Sequence, residues 1–300
     1  GQDLCRRLAR VSDIVAENFT PRVLKRFGLD YESLRQIKPD IIMLSSSGYG
    51  HSGPWVQYAS YGWGLEPMTG VSFLTGYING PPIRSSIPYP DIPSALNGDF
   101  AILAALEHRR RTGKGQWIDL AQYEVGVSTI GDAVLDYMAN GRVQQRLGNQ
   151  HPFMAPHGCY RCSGSDNWVT IAISKDGEWR ALCEVMGQTA LAEDERFRDG
   201  FSRWQHQDEL DRIIEEWTLP QDHYVVMHRL QEVGVPAGAV LNHKELLLDP
   251  HLKARHSFPL ARHAEPRVGL RHHPGPWFRL SETPGSIRKA SPTLGQHNAE

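Results

Sequence analysis

Residues 94–140 constrain the fold more than any other stretch of the chain. In SALNGDFAILAALEHRRRTGKGQ, Leu96, Phe100, Leu103 and Leu106 recur at helical spacing, Arg109, Arg110 and Arg111 fill the last turn, and Gly113 can close it. QWIDLA then reads as a strand and YEVGVSTIGDAVLDYMANG as one further helix. Helix, strand and helix in direct succession favour α/β layers.

The upstream sequence repeats the alternation. PRVLKRFGL has Pro21 near a first helical turn and Gly28 as a stop. IIMLSSS, from Ile41, is a β-rich run bounded by Pro39 and by the glycines of SSSGYGHSGP, the pattern of a strand running into a loop. From Tyr61 to Asp91 the chain is rich in Gly, Pro and Ser and reads as a long loop, and loops of that length in compact domains tend to be functional.

Character changes near Gly148. GCYRCSGSDNWVTIAI predicts two short strands joined by a turn, and Trp179, Leu182, Cys183 and Met186 mark a helix ended by Gly187. Leu210, Ile213, Ile214 and Trp217 mark a second helix, and Val226, Leu230 and Val233 a third before Gly234. The expected organisation is a large α/β domain over 1–147, a small α+β domain over 148–250, and an extended return segment over 251–300 that packs on the large domain.

Composition narrows the function. The 300 residues carry a formal net charge of −2 with acids and bases interspersed, so nothing marks nucleic acid or an anionic membrane as a partner. No apolar run approaches the roughly 20 residues of a spanning helix, and GQDLCRRLARVSD lacks the apolar core of a secretory signal; a soluble, cytoplasmic protein is expected. Four cysteines are too few for a disulfide scaffold. His151, His157, Cys159 and Cys162 have a zinc-like spacing, but strand alternation turns Cys159 and Cys162 to opposite faces, so no metal is expected. There is no G-x-x-x-x-G-K-[ST] phosphate loop, no H-E-x-x-H and no G-x-S-x-G.

Asp91 stands where the long loop meets the helix, a place with free N–H groups and positive potential. It could be an ordinary N-cap with Pro93 in the first turn, the reading the residues alone favour, or an ionised and hence nucleophilic carboxylate.

The segments DIVAENFTPRVLKRFGLDYESL, SSSGYGHSGP, GPPIRSSIPYPDIPSALNGDFAILAALEHRRRTGKGQWIDLAQYE, RLGNQHPFMAPHGCYRC, GVPAGAV, DPHL and LGQHN together resemble the class III CoA-transferases, the formyl-CoA transferase and carnitine CoA-transferase family, in the family's order over essentially the whole chain. The resemblance implies a Rossmann-like parallel-sheet large domain with a smaller α+β domain, and homodimers whose chains interlock. It implies that Asp91 is the covalent catalytic carboxylate, that Asn18 and Phe19 touch coenzyme A, and that Arg26 lies near its phosphates. Gly148, Asn149 and His151 fall where relatives carry a mobile loop that closes over the aspartate, although this version is poorer in glycine. Acyl-CoA and a free carboxylic acid are the implied substrates, exchanged through an aspartyl anhydride and an aspartyl-CoA thioester, with no metal.

Glu66 falls where many relatives have Gln and Gly62 where many have an acid, departures that look like a subgroup acting on aromatic or dicarboxylic acyl groups. The same resemblance admits an acyl-CoA racemase or epimerase, an intramolecular CoA-transferase, or a non-catalytic CoA-binding homologue. A racemase of this fold places a basic histidine where this chain has Tyr61, a poor base at neutral pH. Relatives begin about a hundred residues before ENF and continue past LGQHN, so the chain is expected to be part of a longer reading frame, to expose apolar edge surface and to bind CoA poorly.

Overall fold

Strand β1 (Ile14–Glu17), strand β2 (Ile42–Ser47) and strand β3 (Trp117–Ala121) form a parallel sheet in the order β1-β2-β3, in a computed structural model that describes residues 1–298. Parallel neighbours need crossovers, and the chain supplies them with helices. Between β1 and β2 run α2 (Arg22–Phe27) and α3 (Tyr31–Ile37), preceded by α1 (Gln2–Val11) at the N-terminus. α2 has Pro21 at its N-cap and ends on Gly28 at φ 60°, as its sequence predicts. β2 is buried almost throughout, which explains its continuous apolar start rather than an alternating one.

Between β2 and β3 the stretch expected to be loop is partly helical: α4 (Gly62–Met68) and α5 (Val71–Leu74) precede an irregular run to Pro90. Two glycines and Pro67 hide α4 in the sequence, but it buries Leu65 and Glu66, and that packing outweighs poor propensity. α6 (Asp91–Thr112) is the long helix foreseen, closed by Gly113 at φ 72°. Its buried face is not the predicted one. Ser94, Gly98 and Ala105 face inward, whereas Leu96, Phe100 and Leu103 are 65%, 74% and 64% exposed. Small residues let the helix axis come close to the sheet; a Cβ on Gly98 would stand 3.0 Å from Leu44 Cδ2.

After β3 the single expected helix is two, α7 (Gln122–Ser128) and α8 (Gly131–Asn140). The hydroxyls of Ser128 and Thr129 donate to the carbonyls of Val125 and Gly126, closing α7 before Gly131.

The chain divides into two units, Gly1–Pro152 and a second from Phe153 onward. The second holds an antiparallel sheet ordered β4 (His157–Arg161), β5 (Trp168–Ala172), β6 (Ala237–Ala239). Helix α9 (Asp176–Met186), α10 (Gly200–Gln205), α11 (Gln207–Thr218) and α12 (His223–Glu232) follow β5. Trp179, Leu182, Cys183 and Met186 are all buried on α9, as their spacing requires. They join Phe197, Leu210, Ile214, Val226 and Leu230 in one core. Two short helices, α13 (His243–Leu248) and α14 (Pro250–Ala254), lead to a hairpin of β7 (Leu260–Arg262) and β8 (Leu270–His272). No helix among the described residues is long and apolar enough to cross a membrane.

Candidate active site

The carboxyl ends of all three parallel strands open on one cavity of about 700 Å³. Ligand sites in open α/β sheets form there, where each strand hands over to a loop or helix. β1 delivers Glu17, Asn18 and Phe19, β2 delivers Ser46 and Gly48, β3 leads to Gln122, and α6 brings Asp91, Ser94 and Asp99. Tyr61 and Gly62, at the start of α4, complete the wall around Asp91.

Identifiable contacts hold the turn after β1 and the loop after β2. Glu17 Oε2 accepts the Phe19 N–H at 2.8 Å, which folds the ENF turn and leaves Phe19 half exposed. The Gly48 carbonyl accepts the Tyr123 N–H at 2.9 Å, and Asp119 accepts the His51 N–H, so the loop after β2 is tied to β3 and α7. Tyr49, Trp55, Tyr58 and Tyr123 stack edge and face around that loop.

Asp91 is the first residue of α6, with Pro90 in the N-cap position and no side chain capping the helix. The cap reading of Asp91 therefore has no hydrogen bond behind it. Its N–H donates to the Pro88 carbonyl at 3.0 Å, while burial pushes its carboxyl above the ordinary 3.8. Burial disfavours the charged form, and a carboxylate with little hydrogen bonding is both costly to ionise and reactive once ionised. Gly62 leaves room for it: a Cβ there would stand 2.6 Å from both Asp91 carboxylate oxygens and 2.5 Å from Pro88 Cβ. No side chain can occupy position 62 without moving Asp91.

Four residues after Gly62, Glu66 is fully buried and faces the loop that leads into Asp91. Its carboxylate accepts from the Ser85 N–H at 2.8 Å, the Ser85 hydroxyl at 2.5 Å and the Ser72 hydroxyl at 3.1 Å, and also from the Tyr89 N–H. Burial alone would raise this carboxyl; the donated hydrogen bonds outweigh it and hold it below the ordinary 4.5. α4 thus fixes Asp91 twice, by contact through Gly62 and by tethering its loop through Glu66.

Of the residues singled out in the sequence, Asp91, Asn18 and Phe19 share the cavity. Arg26 is exposed in the last turn of α2, outside the cavity wall. Gly148, Asn149 and His151 are also outside that wall. Gly148 donates its N–H to the Gly76 carbonyl at 2.9 Å, and Arg146 donates to the carbonyls of Phe73 and Gly80, so the start of this loop is attached to α5 and the segment after it. Cys162 is buried in the second unit, its thiol pushed by burial to about 11, and Cys159 is half-buried. Sequence reasoning missed Glu17, Ser94 and the contact of Gly62; only Ser94 carried a local signal, its place one helical turn after Asp91.

Residues 1–298 match the family described as CoA-transferase family III. The chain is 37% identical over 300 residues to succinyl-CoA–D-citramalate CoA-transferase of Chloroflexus aurantiacus, covering 100% of this chain and 74% of that protein. It is 34% identical over 307 residues to succinate–glutarate CoA-transferase of Agrobacterium fabrum, again covering 100% and 74%. The crystal structure of a CAIB/BAIF family protein from Brucella suis superposes with a TM-score of 0.88 at 34% identity, over 100% of this chain and 77% of that one.

Proposed function

The chain belongs to CoA-transferase family III, and from that premise we propose that it moves coenzyme A from an acyl-CoA donor to a free carboxylic acid, with Asp91 as the covalent carrier. The observation that carries this reading is the Asp91 carboxylate itself: uncapped, raised by burial, and facing a cavity that it shares with Asn18 and Phe19.

The cycle is as follows. An Asp91 carboxylate oxygen attacks the donor thioester carbon, the C–S bond breaks, and the products are a mixed anhydride on Asp91 and CoA thiolate. The thiolate attacks the Asp91 carbonyl carbon and expels the donor acid as its carboxylate, leaving aspartyl-CoA thioester. The acceptor carboxylate attacks that carbon and expels the thiolate, giving a second anhydride. The thiolate then attacks the acceptor acyl carbon, which releases the new acyl-CoA and regenerates the Asp91 carboxylate. Each step exchanges one acyl bond for another of similar energy, so no nucleotide or metal has to drive it.

The remaining roles rest on the family's pattern. Phe19 and Asn18, presented by the Glu17-tied turn, contact the CoA chain, and Arg26 pairs with its phosphates. Gly148, Asn149 and His151 belong to a loop that closes over the loaded aspartate. Both relatives described above act, by their names, on dicarboxylic acids, and we assign this chain the same acid class. The uncovered ridge of Leu96, Phe100 and Leu103 supports an interlocked homodimer, as a surface that a second chain would cover. Tyr61 and Gly62 supply no histidine base beside Asp91, which favours transfer over α-proton exchange.

A panel of acyl-CoA donors and free acids, followed by mass spectrometry of the CoA products, tests the reading. Succinyl-CoA with a second dicarboxylate should give the second acid's CoA thioester, and Asp91→Asn should give none. Thioester hydrolysis without transfer, or α-proton exchange of a 2-methylacyl-CoA in deuterated water, would overturn it.

A further inference from the structure

Ser94 is 1% exposed, lines the Asp91 cavity, and has a buried hydroxyl with no hydrogen-bond partner. A serine inside a helix usually returns its proton to the carbonyl four residues back. Here that carbonyl, on Pro90, takes the Ser94 N–H at 3.2 Å and the hydroxyl does not join it. An orphaned buried hydroxyl is a net cost to the free fold, so its presence calls for a partner that arrives later.

Packing gives no reason for the oxygen. The inward face of α6 continues with Gly98 and Ala105, and alanine would fill position 94 in the same way. The contrast with Ser47 is informative. That hydroxyl is also buried and unpartnered, but Ser47 does not line the Asp91 cavity. Ser94 does, on the same helix as Asp91 and three residues later, the spacing at which helical side chains meet.

We propose that Ser94 is a catalytic residue that donates its Oγ–H to the Asp91-derived carbonyl oxygen. The inference rests on the covalent role proposed for Asp91. When CoA thiolate, and later the acceptor carboxylate, attacks the Asp91 carbonyl carbon, the negative charge that develops on that oxygen is met by a fixed donor in a partly dehydrated site. The hydroxyl keeps its proton throughout, so no base is required. In the free enzyme the donor waits unpaired, and its stabilisation appears only as the tetrahedral state forms, which is where it raises turnover rather than substrate binding.

The experiment compares Ser94→Ala, Ser94→Thr and Asp91→Asn with wild type in the full chain, reading kcat, KM for acyl-CoA and Tm without ligand. Ser94→Ala should lower kcat by about a hundredfold, leave KM within about threefold, and leave Tm unchanged or higher, because the free enzyme loses no hydrogen bond. Ser94→Thr keeps the hydroxyl and should recover most of the lost turnover. Ser94→Ala with kcat within about twofold of wild type would overturn the proposal. So would a lowered Tm with turnover that Ser94→Thr does not restore, since that pattern belongs to a packing residue. An inactive Asp91→Asn beside a normal Ser94→Ala removes the role of Ser94 alone, whereas an active Asp91→Asn removes the reading beneath it.

Discussion

The unit from Phe153 onward closes on itself, with Tyr160, Val169, Ile171, Trp179, Phe197, Leu210 and Leu230 among the members of a single buried cluster, whereas the first unit's cluster of Ala9, Leu34, Ile41 and Met43 is much smaller. The first unit also leaves its longest helix with an uncovered apolar ridge and keeps the cavity at its strand ends. A unit with one large buried core is built for stability. One that leaves a carboxylate and a hydroxyl unpaired beside a cavity gives up local stability there, a pattern common at functional sites.

The sharpest way to break that comparison is Trp179→Ala. Trp179 is 1% exposed, meets Phe197 edge-on at 6.1 Å and lies under the Arg203 guanidinium at 5.7 Å. Its truncation should cost about 3–5 kcal/mol in urea unfolding, followed by fluorescence of the remaining tryptophans. A loss under about 1 kcal/mol would show that the second unit is not the tighter one.

Glu66→Gln probes the well-satisfied part of the first unit. Gln presents an amide NH₂ to donors that now meet a carboxylate oxygen, so about 1–3 kcal/mol should be lost, with kcat falling because the Asp91 loop loosens. The pH dependence has a definite sign. Glu66 has a folded value held below 4.5, so its contribution is complete above 4.5 and is lost as pH falls through the lower folded value. Glu66→Gln should flatten that part of the acid-unfolding curve, and an unchanged curve would remove Glu66 as an anchor.

Asp91 should show the opposite sign. Its folded value is raised by burial, so ionising it above 3.8 weakens the fold, and Asp91→Asn should be at least as stable as wild type at neutral pH. The acid limb of kcat/KM should lie above 3.8, because the nucleophile must be ionised. A destabilised Asp91→Asn would place Asp91 among the structural acids with Glu66.

The smallest effect is expected on the ridge. Phe100→Ser and Leu103→Ser alter side chains that are 74% and 64% exposed and should change urea stability of the isolated chain by under about 0.5 kcal/mol. Light scattering should show weaker self-association in both, and unchanged association would leave the ridge without the proposed partner.

The sequence made the helices and strands legible where apolar spacing and local stops agreed, as in α6 with Gly113, α2 with Pro21 and Gly28, and the four inward residues of α9. It did not reveal α4, because glycine and Pro67 suppress local propensity while burial of Leu65 and Glu66 sustains the helix. It misjudged the face of α6, since an apolar stripe does not say whether its cover lies within the same unit. Asp91, Asn18 and Phe19 could be named from motif order alone. The contact of Gly62 with Asp91 and the loop tether from Glu66 depend on three-dimensional juxtaposition that no spacing records.

The central claim is the covalent role of Asp91, and the most direct measurement is hydroxylamine trapping of the enzyme during incubation with donor acyl-CoA, followed by peptide mass spectrometry. Hydroxylamine attacks an aspartyl anhydride or thioester to leave a hydroxamate on the carrier. The expected result is inactivation that requires acyl-CoA, with the hydroxamate on the peptide containing Asp91 and none in Asp91→Asn. A label on Glu66, Asp99 or another acid, or turnover in Asp91→Ala above about a hundredth of wild type, would contradict the account.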